Sequence, residues 1–305
     1  MPVRGAPGWN LWINKITARR IVMKAGFNML LWTGHVTEED FPRLKVLKKA
    51  GFDGVEIPLF GGDVAHFKKV ARAIKDNGLG CTSVTVIPDE QHNPISPDAG
   101  HRKGGLEHLK WAVDCSQALG SEILCGPFYQ PLGVFTGEAP TEEEKKRATK
   151  VHQQAADYAA KANVTLAVEY LNRFECYFLN TMAAAAELVK RVNRPNYGVL
   201  FDTFHAHIEE KDPVGCIGPN IDIIKHVHIS ENDRGTPGRG HVDWAGTFKA
   251  LRSAGYDGWL MIEAFGRALP DLAAATRVWR DLSTSPEEVY TEGLKLIKEQ
   301  WQAAA

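Results

Sequence analysis

The chain has 305 residues, 44% of them hydrophobic and 24% charged, and its 36 Lys+Arg nearly cancel 37 Asp+Glu for a formal net charge of -1. That balance lacks the electrostatic footprint of a nucleic-acid or acidic-membrane binder, and the length suffices for one large core, since α/β barrels run to this size as single domains. No stretch reaches the roughly 18 apolar residues of a membrane span; the five cysteines, Cys81, Cys115, Cys125, Cys176 and Cys216, form no Cys-x-x-Cys pair and suit reduced, mostly buried thiols in the cytoplasm.

Residues 1–23 read as an N-terminal extension. They hold Trp9, Trp12, Arg4, Lys15, Arg19 and Arg20 without a continuous apolar run, which is not the pattern of a secretory signal, and Met23 is an alternative start. From residue 24 to 305 the pattern is that of one domain. Short, almost continuously hydrophobic runs predict buried parallel strands at Ala25–Trp32, Gly54–Phe60, Cys81–Ile87, Glu122–Pro127, Thr165–Leu171, Tyr197–Thr203, Ile224–Ser230 and Trp259–Ala264. Helical spacing of apolar residues falls between them, at Glu38–Ala50, Val64–Asn77, Leu106–Leu119, Glu142–Ala162, Met182–Val192 and Trp244–Ala254. Gly51, Gly78, Gly120 and Gly255 punctuate helix ends.

Strands alternating with helices fit either a closed barrel or an open doubly wound sheet. The open sheet commonly carries a Gly-x-Gly-x-x-Gly turn after its first strand, whereas here that strand runs into Trp32-Thr33-Gly34-His35. The fold class is therefore α/β, a single (β/α)₈ TIM barrel. Its long irregular stretches, 88–105, 129–140, 231–242 and 266–286, follow the carboxyl ends of strands or the last strand, where barrels build their sites.

Four consecutive strands then each carry one ionisable group near that end: Glu169, Asp202, His228 and Glu263. A single acid at such a place is usually a helix cap or ion-pair partner. Three carboxylates gathered together are costly by desolvation and repulsion unless a cation compensates. Three carboxylates with one imidazole suit Mn²⁺, Mg²⁺ or Co²⁺ better than a structural zinc, which favours thiolate and histidine.

The runs Glu169-Tyr170-Leu171-Asn172-Arg173-Phe174-Glu175, Phe201-Asp202-Thr203-Phe204-His205 and His226-Val227-His228-Ile229-Ser230-Glu231-Asn232-Asp233-Arg234-Gly235 resemble the ketose 3-epimerases. That family, which includes D-tagatose 3-epimerase and D-psicose (D-allulose) 3-epimerase, belongs to the xylose-isomerase-like barrels. The resemblance runs from about Lys24 to the C-terminus and includes Val278-Trp279-Arg280-Asp281-Leu282-Ser283. It implies that Glu169, Asp202, His228 and Glu263 hold one divalent metal, usually Mn²⁺ in the family, with Co²⁺ or Mg²⁺ as substitutes. It implies further that Glu169 and Glu263 work on opposite faces of the reacting carbon, and that Glu175, His205 and Arg234 hydrogen-bond the O1-to-O3 end of a sugar. A homodimer or homotetramer is implied as well. Ala264 departs from the proline many relatives carry there, and 266–270 has no clear counterpart, which leaves the sugar open.

The reaction this implies is metal-dependent epimerisation at C3 of a free ketose through an enediolate. The same groups would also serve an aldose–ketose isomerase (hydroxypyruvate- or rhamnose-isomerase-like), or a lyase or dehydratase on a keto-sugar or inosose. The nuclease branch of the same barrels needs more histidines; His35, His66, His205, His207 and His241 are available, but the neutral charge speaks against it. A non-catalytic scaffold gives no reason for the acid cluster. Trp32 is assigned to the sugar pocket as a stacking surface, and Phe128-Tyr129 share its rim, with plain packing as the competing reading. His92, His101 and His108 are expected to be solvated, Phe248 to be core, Cys125 to be an inert small hydrophobe, and Trp279-Arg280-Asp281 to tie down the last loop.

Overall fold

Eight parallel strands, β1 (Lys24–Asn28), β2 (Gly54–Pro58), β3 (Gly80–Val84), β4 (Ile123–Gly126), β5 (Thr165–Glu169), β6 (Tyr197–Asp202), β7 (Ile224–Ile229) and β8 (Trp259–Ile262), close into a barrel in chain order. β8 pairs with β1 from Lys24↔Trp259 to Phe27↔Ile262. The computed structural model describes residues 23–305; apart from Met23, the N-terminal extension lies outside the described residues.

All eight expected strands are present, and all end sooner than the hydrophobic runs that announced them. The residues beyond turn over the rim. After β1, for instance, Asn28 accepts the Leu30 N–H through its side chain at 2.9 Å and caps a 3₁₀ turn at Met29–Leu31.

The described residues form α1 (Phe41–Ala50), α2 (Val64–Asp76), α3 (Ala99–Leu119), α4 (Glu142–Lys161), α5 (Met182–Val192), α6 (Thr203–Glu209), α7 (Trp244–Ser253), α8 (Pro270–Thr276) and α9 (Pro286–Ala303). Helix α3 begins at Ala99, not Leu106, because Asp98 caps the Gly100 and His101 N–H groups. Its early glycines hid it: a Cβ on Gly104 would lie 2.2 Å from Gln91 O, so the turn before the helix packs directly on helix backbone. Helices α6, α8 and α9 were not expected. Ser285 caps α9 by accepting from Glu288 N–H, Pro286 opens it, and Val289, Leu294, Ile297 and Trp301 bury against the barrel.

Alternate strand residues face the helix layer. Phe27, Val55, Ile57, Val199 and Ile262 join Leu44, Phe67, Leu109, Phe248 and Ile297 in the main core, so Phe248 is core as expected. The inward residues are different. Trp259 lies against Gly54, where an added Cβ would come within 2.5 Å of the indole. Further along the axis, Asn28 of β1, Thr82 of β3, Cys125 of β4 and His226 and His228 of β7 all hydrogen-bond Glu56 of β2. A carboxylate reached from so many strands stands inside the barrel, where branched aliphatic layers are usual. Among the described residues, no helix is long and apolar enough to cross a membrane.

Candidate active site

Parallel strands place all their carboxyl ends at one rim. Glu169 ends β5, and Asp202 ends β6 directly opposite His228 of β7. Glu263 follows β8 and is held in line by its N–H to Ile229 O at 3.2 Å. Each of the four offers an atom within 4.8 Å of the other three, and exposure runs only from 0% to 4%. Asp202 also caps α6 by accepting Phe204 N–H at 2.7 Å through Oδ1, which leaves Oδ2 for the site.

Close packing of charge separates the acids. Burial pushes the Glu169 carboxyl well above its ordinary range, reinforced by repulsion from Glu263 and Asp202. Burial raises Asp202 to about 6 against the opposing pull of Arg234. At Glu263 burial also raises, but His228 and Arg234 outweigh it and hold the group below its usual value. For His228 burial is outweighed by the carboxylates of Glu56 and Glu263, so its pKa stands well above normal. Two carboxyls of one site are thus driven in opposite directions, the pattern that separates acid from base.

The loop after β7 brings Arg234 over this cluster. Its anchor is Glu231, fully buried, which accepts the N–H groups of Asn232, Gly238 and Val242 and the Trp244 indole at 2.8–3.1 Å. Arg234 takes φ 68°, a conformation a non-glycine residue adopts only when its surroundings impose it. Its guanidinium lies between the rings of Phe204 (3.9 Å) and Phe265 (4.8 Å) and donates through Nη1 to Asp202 Oδ2 at 2.9 Å and to Glu263 Oε2 at 2.5 Å. His205, fully buried, accepts the Asn172 backbone N–H on Nδ1 at 2.9 Å. Its ring proton therefore belongs on Nε2, which points at the site 3.6 Å from Glu169 Oε1. Burial, with Arg234 and His228 nearby, keeps this imidazole neutral, well below its usual pKa.

Glu169, Glu175, His205, Arg234 and Glu263 line one cavity of about 60 Å³ with Leu30, Phe60, Val84, Val86, Leu132, Phe265 and Leu272. It adjoins an outer apolar pocket of about 390 Å³ that shares Leu30, Phe60, Val86, Leu132 and Leu272 and is also lined by Leu269 and Pro270. Burial raises the Glu175 carboxyl, and Asn172 Nδ2 donates to it at 2.7 Å.

Other residues expected at the site lie elsewhere. Trp32 packs on Phe27 (4.9 Å between centroids) and Tyr290 (6.5 Å) and under Arg43, and Leu30 takes the wall position, because the 3₁₀ turn after β1 rotates the chain. Phe128 and Tyr129 are fully buried, with Tyr129 Oη bonded to Cys176 Sγ at 2.9 Å, so the packing reading holds for both. His108 is half-buried on Val86 O at 2.9 Å rather than solvated. Asp281 does tie its loop, to Arg267, at 2.8 and 2.9 Å, while Trp279 stays 69% exposed. His35 stacks on His66 (4.3 Å) and His207 lies beside His241 (4.8 Å), both pairs outside the acid cluster.

Cys125 is fully buried and burial pushes its thiol well above the ordinary range, so it is inert as expected, but it is more than a hydrophobe, since Sγ donates to Glu56 Oε2 at 3.1 Å. Glu56 itself is the residue that strand-end reasoning passed over. It was visible as an acid inside Gly54-Val55-Glu56-Ile57-Pro58, but in the middle of its strand.

The donor set fits a divalent cation by a specific test. His228 Nδ1 is buried and, among the described residues, makes no hydrogen bond, yet Glu263 Oε1 is 3.3 Å and Asp202 Oδ2 3.9 Å away. An unpaired imidazole nitrogen surrounded by carboxylate oxygens is what an oxygen-preferring cation satisfies.

Comparison with known proteins agrees with this geometry. The family model of the xylose isomerase-like TIM barrel matches residues 44–300. The ketose 3-epimerase of Arthrobacter globiformis is 33% identical over 92% of this chain and 98% of its own length. A probable ketose 3-epimerase of Synechocystis sp. is 31% identical over 92% of this chain and 97% of that protein. In three dimensions, D-allulose 3-epimerase from Methylomonas sp. in complex with D-allulose superposes with a TM-score of 0.85 at 28% identity, covering 92% of this chain and 97% of that one. The chain is an enzyme of the sugar isomerase and epimerase class, and it belongs to the ketose 3-epimerase family of xylose isomerase-like TIM barrels.

Proposed function

We propose that this chain epimerises C3 of a free ketose, with Glu169 and Glu263 as the acid–base pair and one divalent ion, Mn²⁺ in preference to Co²⁺ or Mg²⁺, held by Glu169, Asp202, His228 and Glu263. The observation that carries this reading is the pair of glutamates, set on β5 and β8 around one cavity and displaced in opposite pKa directions.

The hydrogen on C3 lies next to the C2 carbonyl and is weakly acidic. Glu263, held ionised, takes it from one face, and the electron pair moves onto the carbonyl oxygen to give an enediolate. Glu169, kept in its acid form by burial, returns a proton to C3 from the opposite face; the reverse reaction exchanges the two roles. When bound, the metal supplies Lewis-acid stabilisation of charge on the sugar oxygens. The Nε2–H of His205 and the Arg234 guanidinium donate to those oxygens. Arg234 Nη2 and His205 Nε2 lie 2.8 Å apart, close enough for one sugar oxygen to reach both.

The outer walls favour an unphosphorylated sugar. Beyond Arg234, no lysine or arginine among the described residues lines either pocket, and Leu30, Phe60, Val86, Leu132 and Leu272 would meet the far end of the ketose. The Methylomonas neighbour holds D-allulose, which makes six-carbon ketoses the first substrates to try.

The test is incubation with Mn²⁺ in D₂O with D-fructose, D-allulose, D-tagatose and L-ribulose, followed by separation and NMR. Formation of the C3 epimer with deuterium at C3 is the expected result. An aldose product with label at C1 or C2 would replace this reading with an isomerase, and loss of water with a dehydratase.

A further inference from the structure

Glu56 stands at the barrel axis, 0% exposed, beneath the acid cluster. On Oε1 it accepts from His228 Nε2 at 2.7 Å and Asn28 Nδ2 at 2.9 Å; on Oε2 from Thr82 Oγ1 at 2.8 Å, His226 Nε2 at 2.8 Å and Cys125 Sγ at 3.1 Å. A carboxylate offers about four lone-pair directions, so this one is saturated with donors. Glu56, Cys125, His226 and His228 also come close enough to suggest a second metal site. That reading fails because the facing atoms are already hydrogen-bonded to one another at ordinary distances.

Two of the five donors lead to the active site. An ionised carboxylate only accepts, so Nε2 of His228 carries a proton, and Nδ1 is the ring atom left to face Glu169, Asp202 and Glu263. Asn28 is oriented independently, since its Oδ1 accepts Leu30 N–H at 2.9 Å. That fixes Nδ2 toward the carboxylates, where it reaches Glu56 Oε1 and, at 3.3 Å, Glu263 Oε1.

We propose that Glu56 is a positioning residue for the metal centre: it fixes the tautomer and orientation of His228 from below and, through Asn28, holds Glu263. This inference rests on the metal-holding role given above to His228 and Glu263. Carboxylates behind a metal-binding imidazole orient the ring and raise its basicity, and their loss typically weakens metal binding by about 10–100-fold.

The experiment is calorimetric titration of Mn²⁺ into the purified full chain, its Glu56→Gln variant and a Thr82→Val control. Glutamine is isosteric, but it lacks the charge and its carbonyl oxygen can serve only one of the two imidazoles. The expected result is about 10–100-fold weaker Mn²⁺ binding by folded Glu56→Gln. Thr82→Val loses a donor to the same carboxylate while keeping both links to the site, and should bind within about 3-fold of the natural chain. A folded Glu56→Gln that binds like the natural chain overturns the role of Glu56 while leaving the metal reading intact. A natural chain that takes up no divalent ion removes both.

A second measurement needs no variant of Glu56. In ¹⁵N-histidine-labelled natural chain with the diamagnetic ion Mg²⁺, the ring of His228, assigned by difference from His228→Asn, should show its proton on Nε2. A proton on Nδ1 would sink the inference even if Glu56→Gln fails to fold. A purely structural Glu56 would lower the Tm of Glu56→Gln without weakening its Mn²⁺ binding.

Discussion

Glu169 and Glu263 reach one cavity from β5 and β8 with carboxylate oxygens within 4.8 Å of each other, yet burial drives the first toward its acid form while His228 and Arg234 hold the second ionised. An acid–base pair across a carbon needs that inequality, because two identical carboxylates would both be empty or both be loaded. Replacing either glutamate by glutamine should lower kcat by about 10²–10⁴-fold. The measurement is C3 deuterium wash-in at saturating Mn²⁺, which reads proton abstraction apart from product formation. Near-full exchange in either variant would remove that residue from the pair.

Arg234 tests the clamp. Its guanidinium is stacked between Phe204 and Phe265 while donating to Asp202 and Glu263, and its backbone is held in the left-handed region to reach them. Lysine keeps the charge but has neither the planar face nor the paired donors. Losing one charge-assisted hydrogen bond is worth roughly 2 kcal/mol, so Arg234→Lys should lower kcat/KM about 30-fold without unfolding the chain. Steady-state kinetics with whichever of the four ketoses turns over fastest checks this; a change under about 3-fold would mean the charge alone suffices.

Removing the cation should also be visible in stability. Glu169, Asp202 and Glu263 are almost completely buried together, and among the described residues Arg234 and His228 are the basic groups that pair with them. A divalent ion present at 100 times its dissociation constant stabilises the native state by about 2.7 kcal/mol, which for a domain of this size is several degrees of Tm. Chelator treatment should lower Tm by that amount and Mn²⁺ should restore it, as followed by scanning calorimetry. A Tm indifferent to both would show that the cationic side chains compensate the acids unaided.

Much of this was legible in the sequence, for physical reasons that also mark where reading stops. Parallel strands covered on both faces are continuous hydrophobic runs, so β5 to β8 announced themselves, and a charged residue at the end of such a run has nowhere to point but the rim. Glu169, Asp202, His228 and Glu263 followed from that rule alone. Glu56 breaks an apolar run just as plainly, but mid-strand, where inward and outward alternate. Its meaning depends on Asn28, Thr82, Cys125, His226 and His228 being in register with it, which no local pattern displays. Trp32 packs against Phe27 and Tyr290 for a related reason. The strand pattern placed it at the rim, but Asn28 caps a 3₁₀ turn that hands the wall position to Leu30. Glycines required for close packing likewise concealed the first turns of α3.

Far from the cavity's chemistry, His152 offers a prediction about pH. It is fully buried in α4, its Nδ1 2.5 Å from Tyr197 Oη and its ring 5.7 Å from that of Phe128, and burial lowers its pKa from the ordinary 6.5 to about 4. In the unfolded chain the group takes up a proton near its ordinary value. Between those two values the unfolded state binds more protons than the folded one, so stability rises with pH there. The contribution is complete above 6.5 and is lost as pH falls toward 4. At its steepest it changes by about 1.4 kcal/mol per pH unit, for roughly 3 kcal/mol across the window. Carboxylates titrate over part of the same range, so the test is a difference: urea unfolding of the natural chain and of His152→Gln at several pH values from 7 down to 4.5. The variant should be less stable at pH 7 but lose less on acidification, its slope shallower by up to one proton. Parallel slopes would mean that His152 enters the folded state already charged.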